Sequence, residues 1–258
     1  MTAYERLQLA RAMGRPTASD YIAALFTDSV ELHGDRAYAD DPSVTGGIGL
    51  LAGTPVTFIG IERGHDTMER IRYNFGCPKP EGYRKARRLM LEAEKFGRPV
   101  VTFVDTSGAA CGIGAEERGQ GQAIAENLTV MAGLRVPIVS IVIGEGGSGG
   151  ALGIALADRV WMLENAAYSV ISPEGCASIL WKDAARAPEA AERLHFTAED
   201  MLRFGVAERI IEERFDKFPA MCASLGQALS ETLGTLSAMT ADARILARAE
   251  RFRKFSPA

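Results

Sequence analysis

The sequence predicts an α/β protein built on a largely parallel sheet. Two observations carry that reading. From residue 99 onward, short apolar runs alternate with helical stretches, the pattern of strands joined by crossover helices. Two of those runs, 100–105 and 138–143, end in glycine-containing loops that lead toward helices. The 258-residue chain suits one domain, and no linker or internal repeat divides it. Apolar residues make up 47% and charged residues 24%, as in ordinary globular proteins.

The elements follow in order. Residues 3–13 are expected as a short amphipathic helix. Thr17 and Asp20 read as the cap of a second, over 21–32. Residues 33–42 are polar and turn-rich, hence a loop. Runs at 47–51 and 56–61 flank Ala52-Gly-Thr-Pro, a hairpin signal. A helix over 81–96 is closed by Gly97 and carries Arg84, Lys85, Arg87, Arg88 and Lys95. A helix is expected over 115–134, then a strand, a glycine segment and a small-residue helix over 151–157. Strands at 160–163 and 168–171 precede a helix opened by Pro173. Thr197 caps another, closed by Gly205. A strand at 207–211 and a helical tail over 218–253 complete the chain.

Several function classes fall away. A net charge of −4 gives no reason to expect nucleic acid or an anionic membrane. No apolar run reaches membrane-spanning length, and the first residues lack a secretory h-region. Cys77, Cys111, Cys176 and Cys222 are scattered, as are His33, His65 and His195. Neither set has metal-ligand spacing, and a reducing cytoplasm is expected.

Residues 144–150 are the main chemical signal, five of the seven being glycine. Glycine permits positive φ and close approach of another group. Between a buried strand and a helix, the free amides of such a segment sit at a helix N-terminus, where anions bind. A phosphate cradle and an oxyanion hole are both open readings, beside a plain tight turn. The phosphate reading lacks the Lys-Ser/Thr of a P-loop and the G-x-G-x-x-G spacing. Asp105-Thr-Ser-Gly-Ala109, at the preceding strand end, would face the same cleft. Glu116, Glu117 and Arg118 read as a charged first turn, and Ser172-Pro173 as a helix start. Ser148 is not in a G-x-S-x-G context and no histidine pairs with it by sequence, so a nucleophilic serine is disfavoured. Cys111 reads as a small packing residue.

Six ordered blocks carry a resemblance. They are Leu-His-Gly-Asp-Arg-Ala at 32–37, Asn-Phe-Gly-Cys-Pro-Lys-Pro-Glu-Gly-Tyr-Arg-Lys-Ala at 74–86 and Ala-Glu-Lys-Phe-Gly-Arg-Pro-Val at 93–100. Gly-Ala-Glu-Glu-Arg-Gly-Gln at 114–120, Gly-Glu-Gly-Gly-Ser-Gly-Gly-Ala at 144–151 and Tyr-Ser-Val-Ile-Ser-Pro-Glu-Gly-Cys-Ala at 168–177 complete the set, followed by Ile-Leu-Trp-Lys-Asp at 179–183. Together they resemble the alpha subunits of acetyl-CoA carboxylase carboxyltransferase, over about 20–211 and again in the tail at 250–255.

The resemblance implies a crotonase (Clp protease-like) fold, a ββα superhelix with N- and C-terminal helices. It divides the chain into a helical extension over 1–45, a core over 46–215 and a helical tail over 216–258. It implies a zinc-ribbon beta subunit in an α2β2 assembly, a biotin carboxyl carrier protein and biotin carboxylase as partners. It implies carboxyl transfer from carboxybiotin, held on the separate carrier, to acetyl-CoA. The product is malonyl-CoA for fatty acid biosynthesis, and no metal is expected in this chain. The anions to be stabilised, an enolate and a ureido oxyanion, need preorganised backbone amides rather than a nucleophilic side chain.

By the same resemblance, Gly149 and Gly150 form the biotin-side oxyanion hole, with Gly146 and Gly147 as the alternative pair. Gly108, Ala109, Ala110, Cys111 and Ser148 line the pocket. The basic helix is either a CoA-phosphate contact or a solvated or interface face. The chain departs from the family pattern at Ala110 and Cys111, where tyrosine and proline are usual, and lacks a glycine-rich loop end after Ile211. Another acyl-CoA substrate, or a silent assembly paralogue, are the alternatives those departures keep open.

Overall fold

The computed structural model describes residues 1–255. An eight-stranded sheet forms the centre, in the order β1-β2-β3-β4-β5-β6-β8, with β7 pairing on the far end of β5. The strands are β1 (Thr27–Glu31), β2 (Val44–Leu51), β3 (Thr54–Ile61), β4 (Val100–Thr106), β5 (Ile138–Gly147), β6 (Arg159–Leu163), β7 (Ala167–Ser169) and β8 (Arg209–Ile211). β1, β2 and β3 are antiparallel; every later pairing among the named strands is parallel. Such a sheet needs helices on both faces, and β4 and β5 are accordingly apolar and buried almost throughout.

Among the helices between strands, α4 (Pro80–Lys95), α6 (Gln120–Gly133) and α7 (Ser148–Ala155) pack together, and α2 (Ala18–Leu25) packs with α11 (Phe218–Ala238). Two glycines show the two faces. A Cβ at Gly46 would meet Leu89 of α4, and one at Gly60 would meet Ala18 of α2. Gly46 lies opposite Ile59, the neighbour of Gly60, so the two point to opposite sides of the sheet. Tyr21 of α2 stacks on Phe103 of β4 and packs edge-on to Phe218 of α11. The hairpin lies where expected, its two-residue turn formed by Ala52 and Gly53 at φ 48° and 82°.

The expectations need correction in six places. The helix expected over 21–32 ends at Leu25, and residues 27–31 form β1, every residue of which is exposed. Thr17 does cap α2, its amide donating to Asp20 Oδ2 at 2.7 Å. Pairing with β2 overrides the helical pattern, with a register shift at left-handed Asp28. The helix expected over 115–134 is broken at Gly119, φ 80°, into α5 (Ile113–Glu117) and α6. The glycine segment is not a free loop, because β5 continues through Gly147 and α7 starts at Ser148, earlier than 151. The strand expected over 168–171 is β7, ending at Ser169. Helix α9 (Ala187–Leu194), which no cap residue signals, packs on α8 (Pro173–Trp181). The tail is two helices, α11 and α12 (Ala241–Arg253), broken at Met239 before the Thr240 cap. Residues 256–258 of the expected tail lie outside the described residues.

Candidate active site

β4 and β5 run parallel, so their carboxyl ends meet on one edge of the sheet, where Thr106 pairs with Gly146. The glycines there are dictated by neighbours. A Cβ at Gly144 would strike the Asp105 carboxylate, one at Gly146 the Tyr168 ring, and one at Gly147 the Ser107 carbonyl. One at Gly150 would lie 2.5 Å from Ala109 N and 2.6 Å from Gly108 C. Gly149 differs: its nearest neighbour would be Ile124 Cδ1 at 3.8 Å, an ordinary contact. Gly150 is buried, Gly149 half-buried and Ser148 exposed.

Ser148 opens α7 at φ 51°. A left-handed non-glycine residue costs on the order of 1–3 kcal/mol and concentrates at functional sites. No side chain caps α7. The first amides of a helix have no intrahelical acceptor, so those of Ser148, Gly149 and Gly150 are left for another partner at the positive end of the helix dipole. The helix itself is fixed from behind. Tyr83 Oη donates to Gly150 O at 3.0 Å, Asn127 Nδ2 to Gly153 O at 2.9 Å and Thr102 Oγ1 to Ile154 O at 2.8 Å.

The facing loop is also held. Thr106 Oγ1 accepts from Gly108 N at 3.0 Å and donates to Gly108 O at 2.8 Å. Ala110 N donates to Pro78 O at 2.9 Å, and Gln120 Nε2 donates to both Pro78 O and Ala110 O. Gln120 is therefore a staple for this loop. It appears in the sequence only as the last residue of the 114–120 block.

Two hollows flank the α7 start. Gly146, Gly147, Ser148, Ser107, Ile171 and Phe196 are among the walls of one, a narrow cleft. The second, about 370 Å³, runs from Ser148 and Gly149 over Leu152, Val170 and Phe252. Thus Gly146, Gly147, Ser148 and Gly149 line hollows, and Gly108, Ala109 and Gly150 meet backbone to backbone. Ala110 and Cys111 line neither hollow. Ala110 is tied to Pro78, and Cys111 is exposed. Burial pushes the Tyr168 hydroxyl up to about 12, which keeps it neutral.

The histidines engage partners of their own. His33 meets Asp40, His65 meets Asp20 and Glu69, and His195 faces Asp200. None hydrogen-bonds Ser148, in keeping with a non-nucleophilic serine. Four of the five cations on the basic helix are paired within the chain. Arg84 pairs with Asp35, Lys85 with Asp40, Arg87 with Glu126 and Arg88 with Glu92. Ser172 caps α8, as its sequence context suggests, whereas Arg118 does not stand in a first turn: it is the C-cap of α5 and pairs with Glu81.

The parallel-rich sheet, with its glycine segment running into an uncapped helix, has the fold of the crotonase-like carboxyltransferases. The solved structures agree. A Pseudomonas malonate decarboxylase hetero-tetramer in complex with coenzyme A superposes with a TM-score of 0.71 at 20% identity, covering 92% of this chain and 95% of that one. Transcarboxylase 12S, with methylmalonyl-coenzyme A bound, gives 0.70 at 20% identity over 88% and 42%.

Within that class the sequence places the chain further. It belongs to the family described as acetyl co-enzyme A carboxylase carboxyltransferase-like, whose profile matches residues 1–256. The acetyl-coenzyme A carboxylase carboxyl transferase subunit alpha of Ruminiclostridium cellulolyticum is 56% identical over 98% of both chains. That of Streptococcus sanguinis is 53% identical over 95% of this chain and 96% of its own. A subunits beta/alpha protein of Natranaerobius thermophilus is 52% identical over 98% of this chain and 42% of its own length.

Proposed function

We propose that this chain is the biotin-side half of an acetyl-CoA carboxyltransferase. With a beta subunit it moves the carboxyl group of carboxybiotin, presented by a carrier protein in the cytoplasm, to acetyl-CoA. Family membership makes it a biotin-dependent transferase subunit, and the fused beta/alpha relative points to a beta partner. The zinc ribbon and the α2β2 stoichiometry are part of the proposal, as are the carrier, biotin carboxylase and the single-domain division of the chain.

The observation that carries the reading is the uncapped start of α7 against the Gly108–Ala109 loop. The residues present suit biotin: helix-start amides without an intrahelical acceptor beside apolar walls from Leu152, Val170 and Phe252. Bound biotin supplies the carboxyl group and a ureido oxygen that gains negative charge as that group leaves. The amides of Gly149 and Gly150 then donate to that oxygen, with Gly146 and Gly147 as the alternative pair. Fixed donors of this kind stabilise developing charge without reorganising, worth about 10²–10³-fold in rate per donor. Gly108 and Ala109 back Gly150 and Ser148 stands at the entrance, while Ala110 and Cys111 lie away from both hollows.

The experiment is malonyl-CoA formation from acetyl-CoA and carboxybiotin, with the beta subunit added or omitted. Turnover only in the mixture is expected. A stable mixture inactive with acetyl-CoA but active with propionyl-CoA would move the acyl preference. A mixture inactive with every acyl-CoA would reduce this chain to an assembly subunit.

A further inference from the structure

Five glycines cannot hold their own geometry, because glycine loses the most conformational freedom on folding. Glu145 is the one residue of 144–147 with a side chain, and the reaction above does not use it. Its carboxylate is nearly buried, and a buried charge is costly unless paired. Arg63 Nη1 donates to Glu145 Oε2 at 2.7 Å and to Asp105 Oδ1 at 3.1 Å. The same Asp105 oxygen accepts the Glu145 amide at 3.0 Å. Arg11 Nε donates to Glu145 Oε1 at 2.9 Å, and Arg11 Nη1 reaches Glu174 of α8 at 2.7 Å. Arg15 closes the cluster from the side, taking the Ile143 carbonyl and lying 4.0 Å from Asp105 Oδ2. Three arginines thus face three carboxylates.

The location gives the cluster its meaning. Val104 pairs with Val142, but the next partners are Thr106 and Gly146, so the β4–β5 register slips across Asp105 and residues 143–145. A bulge of this sort re-aims the strand end beyond it. The chain Asp105–Arg63–Glu145–Arg11–Glu174 spans that slip and joins three walls of the site: the β4 loop, the glycine segment and the start of α8. Asp105 also sits where any Cβ on Gly144 would go, so its position sets the approach of the two strands.

We propose that Arg63 and Glu145 are positioning residues, which hold the β5 bulge so that the α7 amides meet the reacting oxygen at fixed spacing. The catalytic part of this inference rests on the carboxyltransferase reading; the geometric part does not. Arg63 lines neither hollow, and Glu145, at the wall of the narrow cleft, has both carboxylate oxygens taken by arginines. They act through the backbone they clamp, and a loss of positioning is felt where charge develops, in kcat more than in KM.

The test uses the alpha/beta complex carrying Arg63→Lys, Arg63→Met or Glu145→Gln. Turnover is followed with malonyl-CoA and biocytin, and hydrogen–deuterium exchange of the 144–152 peptide is measured on the same samples. Arg63→Met and Glu145→Gln are expected to lower kcat at least tenfold, with KM for malonyl-CoA within about twofold and assembly intact. Arg63→Lys recovers part of the loss. Exchange of 144–152 accelerates while peptides from α11 stay unchanged. If Arg63→Met does not fold, the other two variants carry the test. Unchanged exchange in 144–152 in folded variants overturns the proposal, as does a loss of turnover matched by a loss of folded or assembled protein. An inactive wild-type complex would overturn the carboxyltransferase reading instead, and exchange would still decide the geometry.

Discussion

At the scale of single residues, neighbouring glycines do different work. Gly149→Ala is expected to keep the melting temperature of the chain, because its Cβ has room beside Ile124. Gly150→Ala must push the Gly108–Ala109 backbone away. It is expected to lower the melting temperature and to cost about 10²–10³-fold in kcat of the complex. Equal melting of both variants, by calorimetry, would contradict this difference. The glycine segment was legible as a site because so many glycines between a strand and a helix have few other uses. Which glycine serves packing and which faces solvent was not legible, since that depends on Ile124, Tyr168, Asp105 and the 107–109 loop, all distant in sequence or on other elements. The left-handed Ser148 gave no signal either, serine being ordinary at helix starts.

At the scale of elements, α12 shows what charge patterns conceal. It is rich in arginine, yet Arg244, Arg248 and Arg251 are buried. Arg248 makes two 2.9 Å contacts to Asp158 and donates to Met131 O and Leu134 O at the end of α6. Cations are favoured at such a helix C-terminus. Arg248→Ala leaves Asp158 buried and unpaired, and is expected to cost about 3–5 kcal/mol in denaturant unfolding. A change below about 1 kcal/mol would show that α12 docks by its apolar contacts alone. The helices with caps and the hairpin with a glycine turn were readable, because their signals are local. β1 was not, because its five exposed residues become a strand only by pairing with β2. The break at Gly119 had a local signal, a glycine free to adopt φ 80°, that the helical pattern on either side masked.

For the whole molecule, two exposed linkages contribute to stability with opposite dependence on pH. Burial raises the Asp40 carboxyl, but the Lys85 ammonium and the Gly34 amide outweigh it and hold the group down at about 2. Its contribution is complete above the ordinary 3.8 and disappears as pH falls toward 2. His65 runs the other way. Its hydrogen bond to Asp20, opposed by burial and supported by Glu69, raises the imidazole above 6.5. The stability it adds is complete below 6.5 and fades as pH climbs through the raised value. The melting temperature of His65→Gln is expected to match wild type most closely on the alkaline side and to fall below it at pH 6. A gap that widens as pH rises would reverse that assignment. The parallel core, with ligand loops at its strand ends, was legible as a whole because strand–helix alternation permits few topologies. The switch of β5 from β6 to β7 as neighbour was not, since both strands are short and follow one another.

The uncapped start of α7 carries a consequence for inhibition. A competitive inhibitor that anchors an anionic atom on these amides binds the main chain, whose N–H every substitution except proline retains. Resistance then has to come through bulk. At Gly144, Gly146, Gly147 and Gly150 added bulk collides with the site itself. The room for escape narrows to Gly149 and to wall residues such as Val170 and Phe252, where a selection experiment should find its mutants.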